Sequence, residues 1–282
     1  MKLALGGHVH DLMHRAVVVG ILNRTRDSFY DRGAHFDLDA FLGHAEQLVD
    51  HGADVLDVGA RPGGVGVHEV TEAEEMELVV ESLEQLRRRF DVPLSVDTQR
   101  AAVAAAAFDA GAVLGNDMSG FRDPEYLSTA ARAGAAVIAT HIRLPPGVPD
   151  PEPHYDDVVE DVAAALEELG ARASAAGIPA ERIILDPGYD LGKTWEQTLT
   201  LLAHTPRLAQ LGHPLLVAVS NKIFPGRLLD LPIDERTTAT AAATAYAVAR
   251  GARVMRVHDV RAGRQVADLL AALLTEESSA VP

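Results

Sequence analysis

The sequence predicts an α/β protein with one domain folded as a (β/α)8 barrel, the TIM-barrel architecture. Short apolar segments alternate with helical segments along the chain of 282 residues, and eight such pairs can be counted. Eight is the number of strand–helix units that closes a barrel. The apolar segments are hydrophobic nearly throughout, which is typical of parallel strands buried on both faces. An open α/β sheet is the alternative that this alternation leaves.

The predicted strands follow one another along the whole chain. They are AVVVGIL (16–22), DVLDVG (54–59), PLSVDT (93–98), AVLGND (112–117), AAVIATH (135–141), RIILDPG (182–188), PLLVAVSN (214–221) and RVMRVHD (253–259). Most of the helical segments between them end in glycine, as a helix C-terminus before a strand should. No linker interrupts the pattern, so we expect one domain over residues 1–282, with an N-terminal extension at 1–15 and a flexible tail at 273–282.

Composition excludes several functional classes. Hydrophobic residues make up 48% and charged residues 23% of the chain, an ordinary globular balance. No apolar run approaches the ~20 residues of a membrane span, so no membrane association is expected. The net charge of −16 argues against nucleic-acid binding. The chain has 0 cysteines, which excludes disulfides and thiolate sites, and its start lacks a signal-peptide pattern, so we expect a cytoplasmic protein.

Polar side chains stand at the ends of the predicted strands. They are Asn23, Asp57, Asp97, Asn116, Asp117, His141, Asp186, Lys222, Arg256 and His258. In a barrel, the carboxyl ends of all strands meet on the face that carries the chemistry. A single aspartate at such a place often only caps the next helix. Polar residues at so many strand ends predict a functional site instead.

The residue types indicate what this site would bind. Aspartate and asparagine side chains on the middle strands offer paired donors and acceptors that suit a flat heterocycle. Lys222, Arg256 and His258 follow the last two strands and suit an anion such as phosphate or pyrophosphate. Asn23 offers an oxygen to a hard divalent cation that would also bind the phosphates.

Some of these residues have structural interpretations as well. Asp97 would cap the helix that begins near Thr98, Arg256 would pair with Asp259, and His141 is expected to be a buried, hydrogen-bonded imidazole. The sequence contains no HExxH, P-loop or GxGxxG motif. Zinc hydrolases, kinases and dinucleotide-binding enzymes are therefore poorly supported.

Seven motifs in order resemble the dihydropteroate synthase family. They are GILNRTRDSF, GADVLDVG, LSVDT, GNDMSG, ILDPGYDLGKT, VSNKIFPG and RVHDV. The resemblance extends from about residue 16 to residue 272, nearly the whole chain. It implies a cytoplasmic transferase that joins 6-hydroxymethyl-dihydropterin pyrophosphate to 4-aminobenzoate with loss of pyrophosphate. It also implies a homodimer formed through the last two helices.

The resemblance further implies roles for the strand-end residues. Four of them would hold the pterin: Asp97, Asn116, Asp186 and Lys222. Arg256 and His258 would bind the pyrophosphate, and Asn23 would bind the Mg²⁺ that accompanies it. Asp97 and Lys222 would be catalytic, with Asp97 supporting positive charge on the pterin methylene as pyrophosphate leaves.

The chain departs from the family pattern mainly around the second substrate. Arg24 and Arg26 stand where the family has an apolar residue and a proline, and the loop around Arg61 lacks the Ser and Thr of the pattern GGESTRPG. Asn221 and Ile223 replace the arginine and second serine of SRKSF. We take these residues as second-substrate or loop candidates: Arg24, Arg26, Asp27, Arg61 and Asn221.

Several functions therefore stay open at this point. The protein is either a working synthase with an altered aminobenzoate pocket, or a pterin-binding paralogue with weak or no synthase activity. An aldolase-type barrel that uses Lys222 as a Schiff-base nucleophile is a remote alternative. A related methyltransferase acting on methyl-tetrahydrofolate would need a corrinoid partner, which the sequence does not show.

Overall fold

The structure, a computed structural model, describes residues 1–25, 36–61 and 70–279. Its strands, in chain order, are β1 (Lys2–Leu5), β2 (His8–Asp11), β3 (Val17–Asn23), β4 (Val55–Gly59), β5 (Leu94–Asp97), β6 (Leu114–Asp117), β7 (Ala136–Thr140), β8 (Ile183–Asp186), β9 (Leu216–Val217) and β10 (Val254–Val257). The strands β3 to β10 correspond to the eight predicted strands, so the alternation of the sequence located each of them.

The eight strands form a parallel barrel. Their order in the sheet is β8-β7-β6-β5-β4-β3-β10-β9. A parallel bridge between Leu185 and Leu215 joins the two edges, and the Leu185 N–H donates to the Pro214 carbonyl at 2.9 Å. The predicted (β/α)8 barrel is confirmed. The strand predicted at 214–221 is shorter than expected because the chain turns after β9, where the Lys222 N–H donates to the Val219 carbonyl.

Helices cover the outside of the barrel. They are α1 (Leu38–Asp50), α2 (Glu72–Arg89), α3 (Ala101–Asp109), α4 (Tyr126–Ala133), α5 (Val158–Ala175), α6 (Trp195–Ala203), α7 (Thr205–Ala209), α8 (Ile223–Leu229), α9 (Thr237–Ala249) and α10 (Val260–Ser279). Thr71 with Glu74 begins α2 by a reciprocal capping box, and Thr194 with Gln197 does the same for α6. None of the helices in the described ranges is long and apolar enough to cross a membrane.

Both ends of the described chain carry regular secondary structure. Residues 1–15 contain the antiparallel hairpin β1–β2, whose buried Leu3 and Leu5 pack inside the barrel together with Leu12. The Leu12 carbonyl accepts a hydrogen bond from Arg253, at the start of β10. The hairpin therefore closes the amino end of the barrel. At the other end, α10 continues to Ser279, so residues 273–279 of the predicted tail are helical, and residues 280–282 lie outside the described residues.

The barrel interior has two different halves. Near the amino ends of the strands it is apolar, with Val17, Val55 and Leu216 among the buried side chains that meet the hairpin leucines. Near the carboxyl ends it is polar, because Asp57 and Arg256 point inward from β4 and β10 and form an ion pair. Every second side chain of a strand points into the barrel, so one strand can place an inward residue in each half. The polar half at the carboxyl ends of the strands therefore packs against an apolar half at their amino ends.

Candidate active site

Asp57 is the centre of the polar half of the barrel. Its carboxylate is fully buried and accepts hydrogen bonds from Ser95 Oγ at 2.6 Å, Asn116 Nδ2 at 2.9 Å and Arg256 Nε at 2.6 Å. Strand register brings these partners together, since Asp57 pairs with Ser95 between β4 and β5. Sequence reasoning placed Asp57 at a strand end but gave it no role. The structure makes it the residue that orients its neighbours.

Arg256 joins Asp57 to Asp97. Its Nη2 donates to Asp97 Oδ2 at 2.6 Å, so one guanidinium binds two carboxylates. Burial alone would lower the pKa of Arg256, but Asp57 and Asp97 outweigh burial and raise it. Burial raises the pKa of Asp97 to about 7, against the opposing charge of Arg256. The alternative pairing of Arg256 with Asp259 is therefore wrong.

Asp97 does not cap the next helix. The first N–H of α3, at Ala101, donates instead to Asp123 Oδ2 at 2.8 Å. Asn116 on β6 is the register partner of Asp97, so the side chains of Asp97 and Asn116 lie on the same face. The Asp97 side chain remains 23% exposed, whereas Asp57 beside it is 0% exposed. Asp97 therefore lies where a ligand in the barrel mouth would reach it.

Asp186 ends β8 on the opposite side of the mouth. Its Oδ1 accepts a hydrogen bond from the Gly188 N–H at 2.8 Å, and Thr140 Oγ1 lies 3.5 Å from Oδ2. Burial raises the pKa of this carboxyl, opposed by the Gly188 hydrogen bond and by Lys222. Gly188 is required at this turn because its φ is +65° and a Cβ there would collide with the His141 carbonyl.

Lys222 lies at the N-cap of α8, after β9. Burial lowers the pKa of its amino group, while Asp190 and Asp186 oppose that effect. Within the described ranges, no hydrogen bond or ion pair of the Lys222 amino group is observed. An ammonium group with open donor positions beside Asp186 can bind acceptor atoms of a ligand.

Lys193 is a buried residue that sequence reasoning did not single out. Its amino group donates to the carbonyls of Gly188 at 2.9 Å and Leu191 at 3.0 Å and contacts His141 Nδ1 at 2.9 Å. Burial lowers the pKa of Lys193 to about 7 and that of His141 to about 3. The interpretation of His141 as a buried, hydrogen-bonded imidazole is confirmed. The GKT at the end of ILDPGYDLGKT was the available signal for Lys193.

His258 lies at the end of β10 and contacts Ser220. Its Nδ1 is 2.9 Å from Ser220 Oγ, and its backbone N–H donates to the same oxygen at 3.1 Å. Burial lowers the pKa of His258 to about 3, with Arg256 and Lys222 adding to the effect. The imidazole is therefore neutral near pH 7. It would bind an anion as a hydrogen-bond donor and not as a cation.

Asn23, the expected metal ligand, ends β3 and pairs in register with Gly59. A Cβ at Gly59 would lie 2.8 Å from Asn23 Oδ1, so this glycine leaves the space that the carboxamide oxygen occupies. The described residues form no cluster of three or more His, Cys, Asp or Glu that could hold a metal ion. The Asn23 carboxamide oxygen is a type of donor that hard divalent cations accept.

Arg24 turns away from the barrel mouth. Its guanidinium donates to Glu81 at 2.7 Å and Ser82 at 3.3 Å on α2, and to the Phe36 carbonyl at 3.1 Å. The residue is only 7% exposed. Its contacts favour a role in attaching the loop after β3 to α2 over a role at the second substrate.

The other first-loop and second-loop candidates are only partly described. Arg26 and Asp27 lie outside the described residues. Arg61 is described, and its Nε lies 3.9 Å from Glu75, a buried carboxylate that also pairs with Arg100 at 2.7 Å. Part of the charge of Arg61 is therefore directed toward α2, at the edge of the mouth.

Asn221 and Ile223 differ sharply in exposure. Asn221 has a left-handed backbone with φ +55°, is only 6% exposed and donates its N–H to Thr240 Oγ1 on α9 at 3.2 Å. Ile223 is 56% exposed at the start of α8. Arg236 donates to the Asn221 and Lys222 carbonyls and so fixes the turn. The expected pterin residues thus share one cup, whereas the described second-substrate candidates do not converge.

Comparison with known proteins agrees with this geometry. Residues 19–258 match the protein family described as "Pterin binding enzyme". The chain is 37% identical to dihydropteroate synthase of Bacillus subtilis (strain 168), over 93% of this chain and 90% of that protein. It is 40% identical to "Inactive dihydropteroate synthase 2" of Mycobacterium leprae (strain TN), over 92% and 91%. The crystal structure of Yersinia pestis dihydropteroate synthase with a sulfonamide drug is similar with TM-score 0.93 and 38% identity, covering 98% of this chain and 100% of that one.

Proposed function

The chain belongs to the dihydropteroate synthase family of pterin-binding enzymes, and from this premise we propose that it is a transferase of folate biosynthesis. The reaction joins 6-hydroxymethyl-dihydropterin pyrophosphate to 4-aminobenzoate and releases pyrophosphate. One observation carries the proposal above the others. Asp97, Asn116, Asp186 and Lys222 border one cup, and the Asp57 carboxylate fixes the side of it that holds Asn116.

The cup supports binding of a pterin by its edge atoms. Asn116 Nδ2 is committed to Asp57, which leaves the Asn116 carboxamide oxygen for a ring N–H. Among the residues that the structure describes, Asp186 Oδ2 has only the Thr140 hydroxyl at 3.5 Å, so it can accept from an amino group of the ligand. Lys222 supplies donors to ring nitrogen or oxygen. These groups match a heterocycle with alternating donors and acceptors along one edge.

Departure of pyrophosphate breaks the bond between the pterin methylene carbon and its oxygen. The oxygen keeps the electron pair, so negative charge grows on the pyrophosphate and positive charge on the methylene. Arg256 and the neutral His258 lie at the end of β10 to bind the pyrophosphate oxygens. Asp97 lies beside Arg256, where an ionised carboxylate would stabilise the methylene cation.

The amine of 4-aminobenzoate then attacks the methylene carbon with its lone pair. A carbon–nitrogen bond forms, and the nitrogen releases one proton. No strong base is needed because the arylamine is already uncharged. Much of the rate would come from holding the two flat molecules in contact.

The proposal includes Mg²⁺ at Asn23. The Asn23 carboxamide oxygen, together with substrate phosphate oxygens, would hold the ion. A bound Mg²⁺ would neutralise charge on the departing pyrophosphate. We expect Asn23→Ala to bind pyrophosphate in the presence of Mg²⁺ more weakly than the unchanged protein does. Equal Mg²⁺ dependence in both would contradict this assignment.

The proposal also includes a cytoplasmic homodimer formed through α9 and α10. Leu269 and Leu273 on α10 are 63% and 50% exposed, and Tyr246 on α9 is 38% exposed. Apolar side chains left exposed on two neighbouring helices are typical of surfaces that a partner covers. Light scattering on the purified protein tests this, and a monomer mass at all concentrations would contradict it.

A turnover assay tests the proposed reaction. The protein is mixed with the pterin pyrophosphate, 4-aminobenzoate and Mg²⁺, and the released pyrophosphate and the coupled product are quantified. We expect both products in equal amounts and none without aminobenzoate. Loss of product in Asp97→Asn, with folding retained, would assign the reaction to this site. Tight binding of both substrates without any product would contradict synthase activity.

A pterin-binding paralogue with weak or no synthase activity is the second candidate function. Asn221 is buried against α9, and the exposed Ile223 side chain has no hydrogen-bonding group, at positions where the family pattern has arginine and serine. The similar Mycobacterium leprae protein is named inactive, so at least one relative of this chain carries that description. The same assay separates the candidates, because the paralogue would bind the pterin without forming product.

A further inference from the structure

Asp190 lies in the loop after β8, outside the residues to which a role has been given so far. Its backbone is left-handed, with φ +62°, a conformation that aspartate adopts more readily than most residues. Its N–H donates to Thr198 Oγ1 on α6 at 3.1 Å. The backbone of this loop is therefore attached to α6, which sets the direction of the Asp190 side chain.

The Asp190 side chain reaches the neighbouring loop. Its Oδ2 accepts a hydrogen bond at 2.5 Å from the backbone N–H of Ile223, the residue that follows Lys222. Its Oδ1 is buried and has no hydrogen-bond partner in the part of the chain that the structure describes. One carboxylate thus joins the loop of Asp186 to the loop of Lys222.

The negative charge of Asp190 also acts on Lys222. Burial lowers the pKa of Lys222, and Asp190 is the largest of the groups that oppose it, ahead of Asp186 and Asp97. Arg256 adds to the lowering. Removing the negative charge of Asp190 would therefore make Lys222 lose its proton at lower pH.

Building on the proposed function, we propose that Asp190 is a positioning residue that holds the Ile223 backbone and thereby sets where Lys222 meets the pterin. It acts through Lys222 and need not touch the ligand. Asp190 also faces Lys193, but the Lys193 amino group already donates to two backbone carbonyls. The effect of Asp190 on ligand binding is therefore exerted at Lys222.

The test compares two variants by calorimetry with the pterin pyrophosphate from pH 6 to pH 10. Asp190→Asn keeps an oxygen for the Ile223 N–H and removes the charge, whereas Asp190→Ala removes both. We expect Asp190→Ala to weaken binding by roughly tenfold at pH 7, the size of one charge-assisted hydrogen bond. Asp190→Asn should bind normally at pH 6. As the pH is raised, its affinity should begin to fall at a lower pH than that of the unchanged protein.

Asp123→Asn is the matched control, because Asp123 accepts from the first N–H of α3 as Asp190 does from that of α8. Its pH profile should match that of the unchanged protein. Normal pterin affinity in a folded Asp190→Ala would overturn the proposal, because that variant lacks the acceptor for the Ile223 N–H. If Asp190→Ala does not fold, an unchanged profile in Asp190→Asn would overturn it. If the unchanged protein does not bind the pterin, the proposed function fails and this proposal fails with it.

Discussion

The pterin cup and the second-substrate rim are built differently. The cup consists of Asp97, Asn116, Asp186 and Lys222; Asp97 and Asp186 end strands of the barrel, and Asn116 is the penultimate residue of β6. The rim consists of Arg24, Arg61 and Asn221, in the loops after β3, β4 and β9, and of Ile223 at the start of α8.

Their contacts differ as much as their positions. Asn116 is bound to Asp57 and Asp97 is bound to Arg256, while Lys222 lies within the charge influence of Asp186 and Asp97. Arg24 is bound to α2, and Asn221 is bound to α9. Register in the sheet therefore fixes the cup, whereas each rim residue follows the helix that its loop touches. A ligand specificity held by the rim can change without disturbing the cup.

Removing Asp57 should have the largest effect. Asp57→Ala leaves Arg256, Ser95 and Asn116 without their shared acceptor. We expect a loss of about 3–5 kcal/mol in unfolding free energy, the cost of breaking a buried ion pair, and loss of pterin binding. Denaturant unfolding and calorimetry measure the two effects.

Asp54→Ala is the control for this change. Asp54 also binds an arginine, Arg264, at 3.0 Å, and accepts from the Val18 N–H, at the opposite end of the barrel. It should lose stability with little change in pterin affinity. Equal loss of affinity in both variants would show that the cup responds to barrel stability and not to Asp57 itself.

The second-largest effect should be a dependence of turnover on pH that follows the ionisation of Asp97. Burial raises the pKa of Asp97 to about 7, so the carboxylate that stabilises the methylene cation forms only as the pH rises through this value. We expect kcat/KM to fall about tenfold for each pH unit below 7, the slope of a single ionisation. Asp97→Asn should lose both the activity and this limb. A flat profile between pH 5 and pH 8 would contradict the assignment.

Restoring the family pattern at the rim should have a smaller effect. Ile223→Ser returns a hydroxyl to an exposed position, and we expect a severalfold lower KM for 4-aminobenzoate, within the energy of one hydrogen bond. Asn221→Arg should cost stability, because its φ of +55° suits asparagine better than arginine. Pterin affinity should stay unchanged in both. A loss of pterin affinity in Ile223→Ser would show that cup and rim are not separate.

Arg24 should matter least to catalysis. Arg24→Ala removes an ion pair with the half-exposed Glu81, which we expect to cost about 1 kcal/mol in stability. The KM for 4-aminobenzoate should not change, because the guanidinium is bound to α2. Steady-state kinetics with varied aminobenzoate measures this. A several-fold rise in KM would place Arg24 at the second substrate.

Sequence alone predicted what the strands determine. Asp97, Asn116 and Asp186 follow buried strands, and the closing of eight such strands into a barrel was enough to place them in one mouth. The role of Asp57 as the shared hydrogen-bond acceptor was not predicted, because it depends on which side chains contact one another inside the barrel. The direction of Arg24 was not predicted either, since it depends on Glu81, distant in sequence. Loop contacts of this kind leave no periodic signal.

The charge of His258 was also beyond the sequence. From the sequence, His258 was grouped with a lysine and an arginine at an anion site without assignment of its protonation state, and burial lowers its pKa to about 3. Burial of a strand-end residue depends on how helices cover the barrel mouth, which the strand itself does not encode. The position of His258 at the end of β10 was predicted from the sequence, whereas its protonation state could not be.

Calorimetric titration of the pterin pyrophosphate tests the central claim most directly. It compares the unchanged protein with Asp186→Ala and Lys222→Ala, with Arg227→Ala on the exposed side of α8 as the control. We predict binding by the unchanged protein and the control, and a loss of roughly tenfold or more in each cup variant, as expected for hydrogen bonds to charged groups. Unchanged affinity in both cup variants, with the fold intact, would contradict the account.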